Sequence, residues 1–221
     1  MRPIWEAGIN LLFPPFCFHC HTWIDEKPAP ILCHDCRSRL VAYGHADLRP
    51  EILHRDGIDR VYSGWEYGPE IQTVIHSLKY EDYAKFGFMY GQEVIRLLPD
   101  GVFSSCDQIV PVPLHPTKQR DRGYNQSDWI ARGVSEATGI PVNRSLLRRT
   151  KFTRSQTTLN AAERKRNMEN AFTVHGKTLP EHVLIVDDVI TTGSTVSSLA
   201  CVLKQNGVRS VSVLTLSHPR D

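Results

Sequence analysis

Two stretches of this chain bring chemically capable residues together at short spacing. The first is VLIVDDVITTGSTVSSLACVL, from Val183 to Leu203. An apolar run ends in Asp187 and Asp188, and a turn of Thr191, Thr192, Gly193, Ser194 and Thr195 then opens what reads as a helix. Ionised carboxylates only accept hydrogen bonds, so they suit ligands rich in hydroxyls, or metals. The free N–H groups and dipole of a helix start favour a phosphate. Gly193 lets the backbone come close to a partner, and the four hydroxyls add donors. Acceptors for hydroxyls beside donors for phosphate describe a 5′-phosphorylated ribose. No lysine follows the glycine, so this is not a Walker loop, and the G-x-G-x-x-G dinucleotide turn is absent too. The plainer alternative is a strand that ends in two aspartates, followed by an ordinary Ser or Thr N-cap.

The second stretch is CFHC, with Cys17 and Cys20, and CHDC, with Cys33 and Cys36. Two C-x2-C knuckles aim four sulfurs at one ion, the tetrahedral thiolate set that Zn²⁺ favours. An iron–sulfur cluster or a redox pair are the alternatives. Four thiolates leave no open position, so the ion would be structural. About forty residues cannot build much core, so metal binding would supply folding energy here. His19, His21 and His34 read as solvated, and Cys106 and Cys201 as buried hydrophobes.

Strands and helices must position these groups. Glu181 to Val189 reads as a strand, Val196 to Asn206 as a helix stopped at Gly207, and Val208 to Leu216 as a strand. Apolar strands alternating with helices predict a parallel sheet covered on both faces, an α/β fold. Ligands of such sheets sit beyond the carboxyl ends of the strands, where the two aspartates lie. Upstream, Arg60 to Gly68 alternates like a strand. Glu70 to Tyr80 and Tyr83 to Leu98 read as helices. QIVPVPL, Gln108 to Leu114, reads as a short strand, HPTKQRDRGYNQS as a polar basic loop, and Trp129 to Thr138 as a helix ended by Gly139. Ile4, Trp5, Gly8, Leu11 and Leu12 fit one face of a short docking helix.

With 221 residues, 41% apolar and 23% charged, the chain has room for one ordinary domain and a small appendage. Net charge is +2, but its distribution is uneven: His115 to Asn170 carries 12 Lys/Arg against 5 Asp/Glu, and the rest carries 14 against 19. A basic middle suits an anionic ligand, or is a solvated basic face. No apolar stretch reaches the ~18–20 residues of a membrane span. Glu6 interrupts the apolar N-terminus, which lacks a small-x-small cleavage site, so a signal peptide is not expected. The expected location is cytoplasmic, and the cysteines are then ligands or core residues, not disulfides.

The sequence Val-Asp-Asp-x-x-Thr-Thr-Gly-x-Thr, preceded by Leu-Ile, resembles the phosphoribosyl pyrophosphate (PRPP) motif of type I phosphoribosyltransferases. Further motifs extend the likeness: the double cysteine knuckle, SLKY (Ser77 to Tyr80), VPVPLHP (Val110 to Pro116), R-x-R-G-Y-N-Q (Arg120 to Gln126), R-R-T-x-x-x-x-x-Q-x-x-L (Arg148 to Leu159) and R-x-x-N (Arg164 to Asn167). Together and in order these resemble the ComF family, which is linked to DNA uptake in competent bacteria.

The resemblance implies a type I phosphoribosyltransferase fold with a small zinc-binding region. The expected division is 1–45 for the N-terminal helix and four-cysteine region, and 46–221 for the phosphoribosyltransferase-like domain, with a hood-like segment at 60–100 and a PRPP-binding core at 106–221. It implies that Asp187 and Asp188 hold the ribose 2′ and 3′ hydroxyls and serve catalysis, and that Thr191, Thr192, Gly193, Ser194 and Thr195 surround the 5′-phosphate. His115 to Lys118 match the pyrophosphate loop. Arg120 and Arg122 are offered as pyrophosphate ligands, since Arg presents a planar fork of donors. Lys79 reaches the same cleft. The stretch from Arg148 and Arg149 to Asn167 matches a mobile flap that shields the reacting sugar from water. Mg²⁺ is expected to arrive with PRPP, since it prefers phosphate oxygens and water to an all-protein cage. One departure matters: purine-salvage members of the fold carry an acid at the position of Thr191, so the acceptor is not a purine of that sort. Trp65 and Tyr67 are offered for stacking a base, or for core packing.

The expected function is thus Mg²⁺-dependent transfer of ribose 5-phosphate from PRPP, or pyrophosphate release, with an unknown acceptor. The alternative is a non-catalytic PRPP sensor or a protein that binds single-stranded DNA, for which a basic middle and aromatics also suffice. A scaffold for a DNA-uptake helicase is a third reading.

Overall fold

The run from Val183 to Val186 is apolar on both faces of a strand, so both faces need cover. A computed structural model of the chain, which describes residues 16–25, 30–44, 47–80, 83–114, 116–149, 171–176 and 178–219, provides it. In chain order the described elements are α1 (His34–Arg37), β1 (Arg60–Glu66), α2 (Pro69–Ser77), α3 (Phe86–Arg96), β2 (Gln108–Pro111), α4 (Pro116–Arg122), α5 (Gln126–Thr138), β3 (Leu147–Arg149), β4 (Phe172–Val174), β5 (His182–Val189), α6 (Ser194–Gln205) and β6 (Ser210–His218). Four strands form one parallel sheet in the order β1-β6-β5-β2, and β3 pairs antiparallel with β4 in a second, two-stranded sheet. This is the α/β class with a parallel sheet and an N-terminal four-cysteine cluster.

The strand pleat sends alternate residues to opposite sides. Leu184 and Val186 of β5 join a core with Ile71 and Ile75 of α2, Tyr90 and Val94 of α3, and Ile130 and Val134 of α5. Val183 and Ile185 join the opposite core, with Leu199 and Leu203 of α6, Ile52 and Ile58 of the preceding segment, and Leu147 and Phe172 of the small sheet. Unpaired strand edges are a liability, and both edges of the large sheet are engaged. Tyr43 N donates to Gly64 O and Glu66 N to Val41 O along β1; Ile109 N donates to Pro141 O and Asn143 N to Ile109 O along β2.

The 60–100 segment departs from the expected hood. Its strand β1 lies in the large sheet, paired in parallel with β6, and the five residues from Val61 to Trp65 are all buried, so both of its faces are covered. Trp65 is buried and meets Tyr90 edge to face with ring centroids 5.9 Å apart, so it is core rather than a base platform. Tyr67 stays exposed at the carboxyl end of β1.

The expected basic loop after β2 also departs: PTKQRDR forms α4, with Pro116 at its first position and good helix formers after it. The next helix begins at Gln126 rather than Trp129, because Asn125 caps it by accepting from Ser127 N at 3.1 Å. The packing of α3 on α5 is unusually close. A Cβ on Gly133 would lie 1.9 Å from Phe88 O, and one on Gly91 would lie 2.3 Å from Ile130 O. Glycines at the crossing let the two backbones touch.

The cysteine region does not stand apart. Cys17, Ile24, Ile31, Leu32 and Cys36 share the core of α2 and α3. Phe18 meets the Tyr83 ring at 4.6 Å, His19 Nδ1 lies 3.1 Å from Thr73 Oγ1, and Arg37 pairs with Glu93. The expected helix around Ile4 to Leu12 lies outside the described residues. Among the described residues no helix is long and apolar enough to cross a membrane.

Candidate functional site

The carboxyl end of β5 collects the first group of residues. Asp187 is half-buried and Asp188 almost wholly buried. Each anchors one oxygen on the backbone N–H of the next residue: Asp188 N donates to Asp187 Oδ1 at 3.0 Å, and Val189 N to Asp188 Oδ1 at 2.9 Å. Asp187 Oδ1 also accepts from Ser127 Oγ, 2.8 Å away at the start of α5. Burial holds the Asp187 carboxyl well above the usual carboxylate range; the neighbouring Asp188 charge adds to this, and the Ser127 hydroxyl opposes it. Arg149, at the end of β3, is close enough to Asp187 to feel its charge. Burial lowers the Arg149 guanidinium, the Asp187 charge partly offsets that, and its plane lies over the Phe172 ring at 5.4 Å.

The turn that follows opens α6. Thr191 and Thr192 are exposed, Ser194 and Thr195 half-buried, and Gly193 stands at the N-cap with φ of 79°. A glycine N-cap offers no side chain to the first N–H groups of the helix. The glycine itself is required by the chain's own packing. A Cβ there would meet Ile52 Cγ2 at 2.2 Å and His54 O at 2.4 Å. His54 N also donates to Thr192 O at 2.8 Å, and Ser197 Oγ to Asp56 O at 3.1 Å. The close approach that the sequence assigned to a ligand is therefore made, on this side, by the segment around Ile52 and His54. Leu53, His54 and Arg55 are exposed beside the turn.

The R-x-R-G-Y-N-Q motif acts as a bracket between elements. Tyr124 Oη donates to Leu78 O, at the end of α2, at 2.9 Å. Asn125 Nδ2 donates to Val112 O, just past β2, at 2.9 Å. Arg122 Nη1 donates to Gln126 Oε1 at 2.7 Å, and Gln126 is buried. Of the other cations predicted for an anionic ligand, Lys118, Arg120 and Arg148 are exposed, as is Lys79, one residue past the carbonyl that Tyr124 holds. His115 lies outside the described residues, and so does the predicted flap from 150 onward; β3 and β4 stand at its two ends.

Sequence reasoning missed Ser127, Ile52 and His54. Ser127 had a signal, the N-cap residue Asn125 two positions before it. The segment around His54 had none, since its place is set by contacts with residues some 140 positions away.

A second group lies at the other end of the chain. The four ligand sulfurs of Cys17, Cys20, Cys33 and Cys36 lie within 4.8 Å of one another, and the Cys20 and Cys33 sulfurs are 3.6 Å apart. A tetrahedral zinc with Zn–S bonds of about 2.3 Å sets its sulfurs about 3.8 Å apart, so the residues fit the ion. Hydrogen bonding with Thr22 draws the Cys20 thiol down to about 6, whereas burial pushes the Cys36 thiol up, so the fit to an ion rests on the sulfur spacing. Among the described residues this is the one group of three or more metal-ligating side chains. Cys106 and Cys201 are half-buried, and burial pushes the Cys106 thiol up to about 11.

No family model matches the chain. Curated relatives do. The DNA utilization protein YhgH of Salmonella typhimurium is 35% identical over 161 residues, 71% of each chain. Competence protein F of Haemophilus influenzae is 39% identical over 114 residues, half of each chain. Competence protein ComFC of Streptococcus pneumoniae is 31% identical over 109 residues, 49% of this chain and 47% of that one. The chain belongs to the ComF family. Among solved structures, this ComF protein resembles a glutamine PRPP amidotransferase from B. subtilis at a TM-score of 0.38, with 24% identity over 66% of this chain and 27% of that chain. It resembles a purine phosphoribosyltransferase from Pyrococcus horikoshii at 0.35, with 18% identity over 60% and 70%.

Proposed function

We propose that this ComF protein binds PRPP at the carboxyl end of β5 and transfers its ribose 5-phosphate, or releases its pyrophosphate, in the service of DNA uptake or utilisation. The observation that carries this reading is the Asp187–Asp188 pair. Each carboxyl keeps one oxygen on a backbone N–H, and α6 starts at Ser194, six residues after Asp188. The pair would accept from the ribose hydroxyls, and residues 191–195 would donate to the 5′-phosphate. In the reaction, the bond from C1 to the pyrophosphate oxygen breaks and its electron pair leaves on pyrophosphate. A lone pair of the acceptor closes on C1, which passes through a positively charged, oxocarbenium-like state. Carboxylates at the ribose hydroxyls sit well for that charge. Arg149 and the exposed Lys79, Lys118, Arg120 and Arg148 are the candidates for the leaving group's charge. Mg²⁺ would enter on the ligand's own phosphate oxygens and stabilise the same charge. Zinc, at the four cysteines, would be structural.

Calorimetry with PRPP and Mg²⁺ tests this, followed by a pyrophosphate assay on the same samples. Asp188→Asn removes one charged acceptor, a change of about 1.5–3 kcal/mol, so its Kd is expected to rise roughly ten- to hundredfold. Equal binding by parent and variant, or no binding by the parent, would sink the reading. Binding without pyrophosphate release would leave a sensor.

A specific observation favours that sensor holding single-stranded DNA as well. Phe16 and Trp23 on the cysteine region are 44% and 46% exposed and meet edge to face at 5.2 Å. Exposed aromatics can stack bases. Trp23→Ala is then expected to weaken oligonucleotide binding by about 1–3 kcal/mol, with steep salt dependence. Unchanged binding by fluorescence anisotropy at two salt concentrations would count against it.

A further inference from the structure

We infer that Ser127 is a positioning residue for the ribose-binding carboxylate: its buried hydroxyl pins Oδ1 of Asp187 and leaves Oδ2 to face the ligand. The inference rests on the PRPP reading for the ligand, and on geometry for everything else. Ser127 is wholly buried in the first turn of α5, and its Oγ stands 2.8 Å from Asp187 Oδ1. The same oxygen takes the N–H of Asp188, and among the described residues both hydrogen bonds accepted by Asp187 fall on Oδ1. Two donors on one oxygen fix the rotation of the carboxyl group and present the other oxygen.

The serine cannot drift. Its own N–H donates to Asn125 Oδ1, Asn125 Nδ2 is tied to Val112 O, and Gly133 further along α5 touches the backbone of α3 at Phe88. One hydroxyl thus transmits the placement of a whole helix to one carboxylate, across 60 positions of sequence.

The hydroxyl has a second effect, on charge. A hydroxyl that donates to a carboxylate favours its ionised form. Here it works against burial and against Asp188, which both raise the Asp187 carboxyl. The charged groups that act on Asp187 are Asp188 on β5 and Arg149 on β3; α5 contributes Ser127, and β6 pairs Thr215 with it in register, and neither of these titrates. The ligand's hydroxyls need an ionised acceptor. Loss of the hydroxyl should therefore move the acid limb of binding to higher pH.

The test is a pH series on the full-length protein and on Ser127→Ala, with two readouts. Calorimetry with PRPP and Mg²⁺ follows Kd against pH. Carbon NMR of the Asp187 carboxyl, in the free protein, follows its titration midpoint. The expected result is a Kd about tenfold weaker near neutral pH, with the acid limb and the NMR midpoint both displaced upward. A purely structural serine would weaken binding equally at every pH and leave the midpoint where it was; that result overturns the inference. If Ser127→Ala does not fold, Ser127→Cys keeps the shape with a weaker donor and carries the same expectation. If the parent does not bind PRPP, the PRPP reading fails, and the NMR midpoint alone still decides whether Ser127 controls Asp187.

Discussion

Gly133→Ala is expected to destabilise the fold by about 3 kcal/mol or more, at the upper end of what overpacking costs. The added Cβ would fall 1.9 Å from Phe88 O, 2.8 Å from Phe88 C and 3.1 Å from Gln92 N. All three are backbone atoms of α3, so no side chain can swing aside to make room. Relief requires α3 and α5 to separate, and that unpacks Tyr90, Val94, Ile130 and Val134 from the sheet. Urea melts should show a lower midpoint, and thermal melts a Tm lower by roughly 6–12 °C for a chain of this size. Gly68→Ala is the control: a Cβ there has no neighbour within 4 Å, and a change below about 1 kcal/mol is expected. Comparable melts for the two variants would show that the helix crossing is not the rigid contact described. If the protein binds PRPP as proposed, that binding should weaken in Gly133→Ala even where the protein is still folded, because α5 also carries Ser127 to Asp187.

Removal of zinc is expected to have the other large effect. Structural zinc sites contribute an apparent binding free energy of about 10–16 kcal/mol in small domains, and with zinc at the four cysteines the folding of their region would depend on it. Here that region is also part of the main core. Cys17, Leu32 and Cys36 are packed with Leu78, Tyr90 and Val94, and Arg37 and His19 reach Glu93 and Glu70. A strong chelator should therefore lower the Tm of the whole protein and expose α2 and α3 to hydrogen exchange, instead of merely loosening residues 16–44. Elemental analysis should find one zinc per chain, and Cys36→Ser should lose it. A colourless protein with zinc excludes the iron–sulfur alternative. A metal content well below one per chain, with melts indifferent to chelator, would overturn the assignment.

The parts of the site that lie close together in sequence were legible from sequence alone. Asp187, Asp188 and the 191–195 turn are neighbours in the chain, and an all-apolar strand feeding a helix predicts a parallel sheet with those residues at its carboxyl edge. The cysteine spacing was legible for the same reason: two tight knuckles specify a tetrahedral set whatever surrounds them. Elements were read less well where competing local signals met. PTKQRDR read as a loop because it is polar, yet its helix propensity and Pro116 made α4. The start of α5 was read three residues late because the apolar pattern begins at Trp129 while the cap sits at Asn125. The 60–100 segment was assigned as hood-like from the family resemblance, and the pairing of its strand β1 with β6 is something no local pattern reveals.

What the sequence determined by itself is the chemistry available: paired carboxylates before a hydroxyl-rich helix start, four thiolates at metal spacing, and the α/β alternation that carries them. What only the tertiary structure decided is how that chemistry is held. Ser127 reaches Asp187 because glycines let α5 press against α3. Gly193 is a glycine because the segment around Ile52 and His54 lies against it, and Trp65 is core because β1 pairs with β6. Spacing along a chain sets which groups can share a turn or a strand end. Contacts across 60 to 140 positions depend on backbone approach and burial, which are properties of packing and leave no periodic mark in the residues that make them.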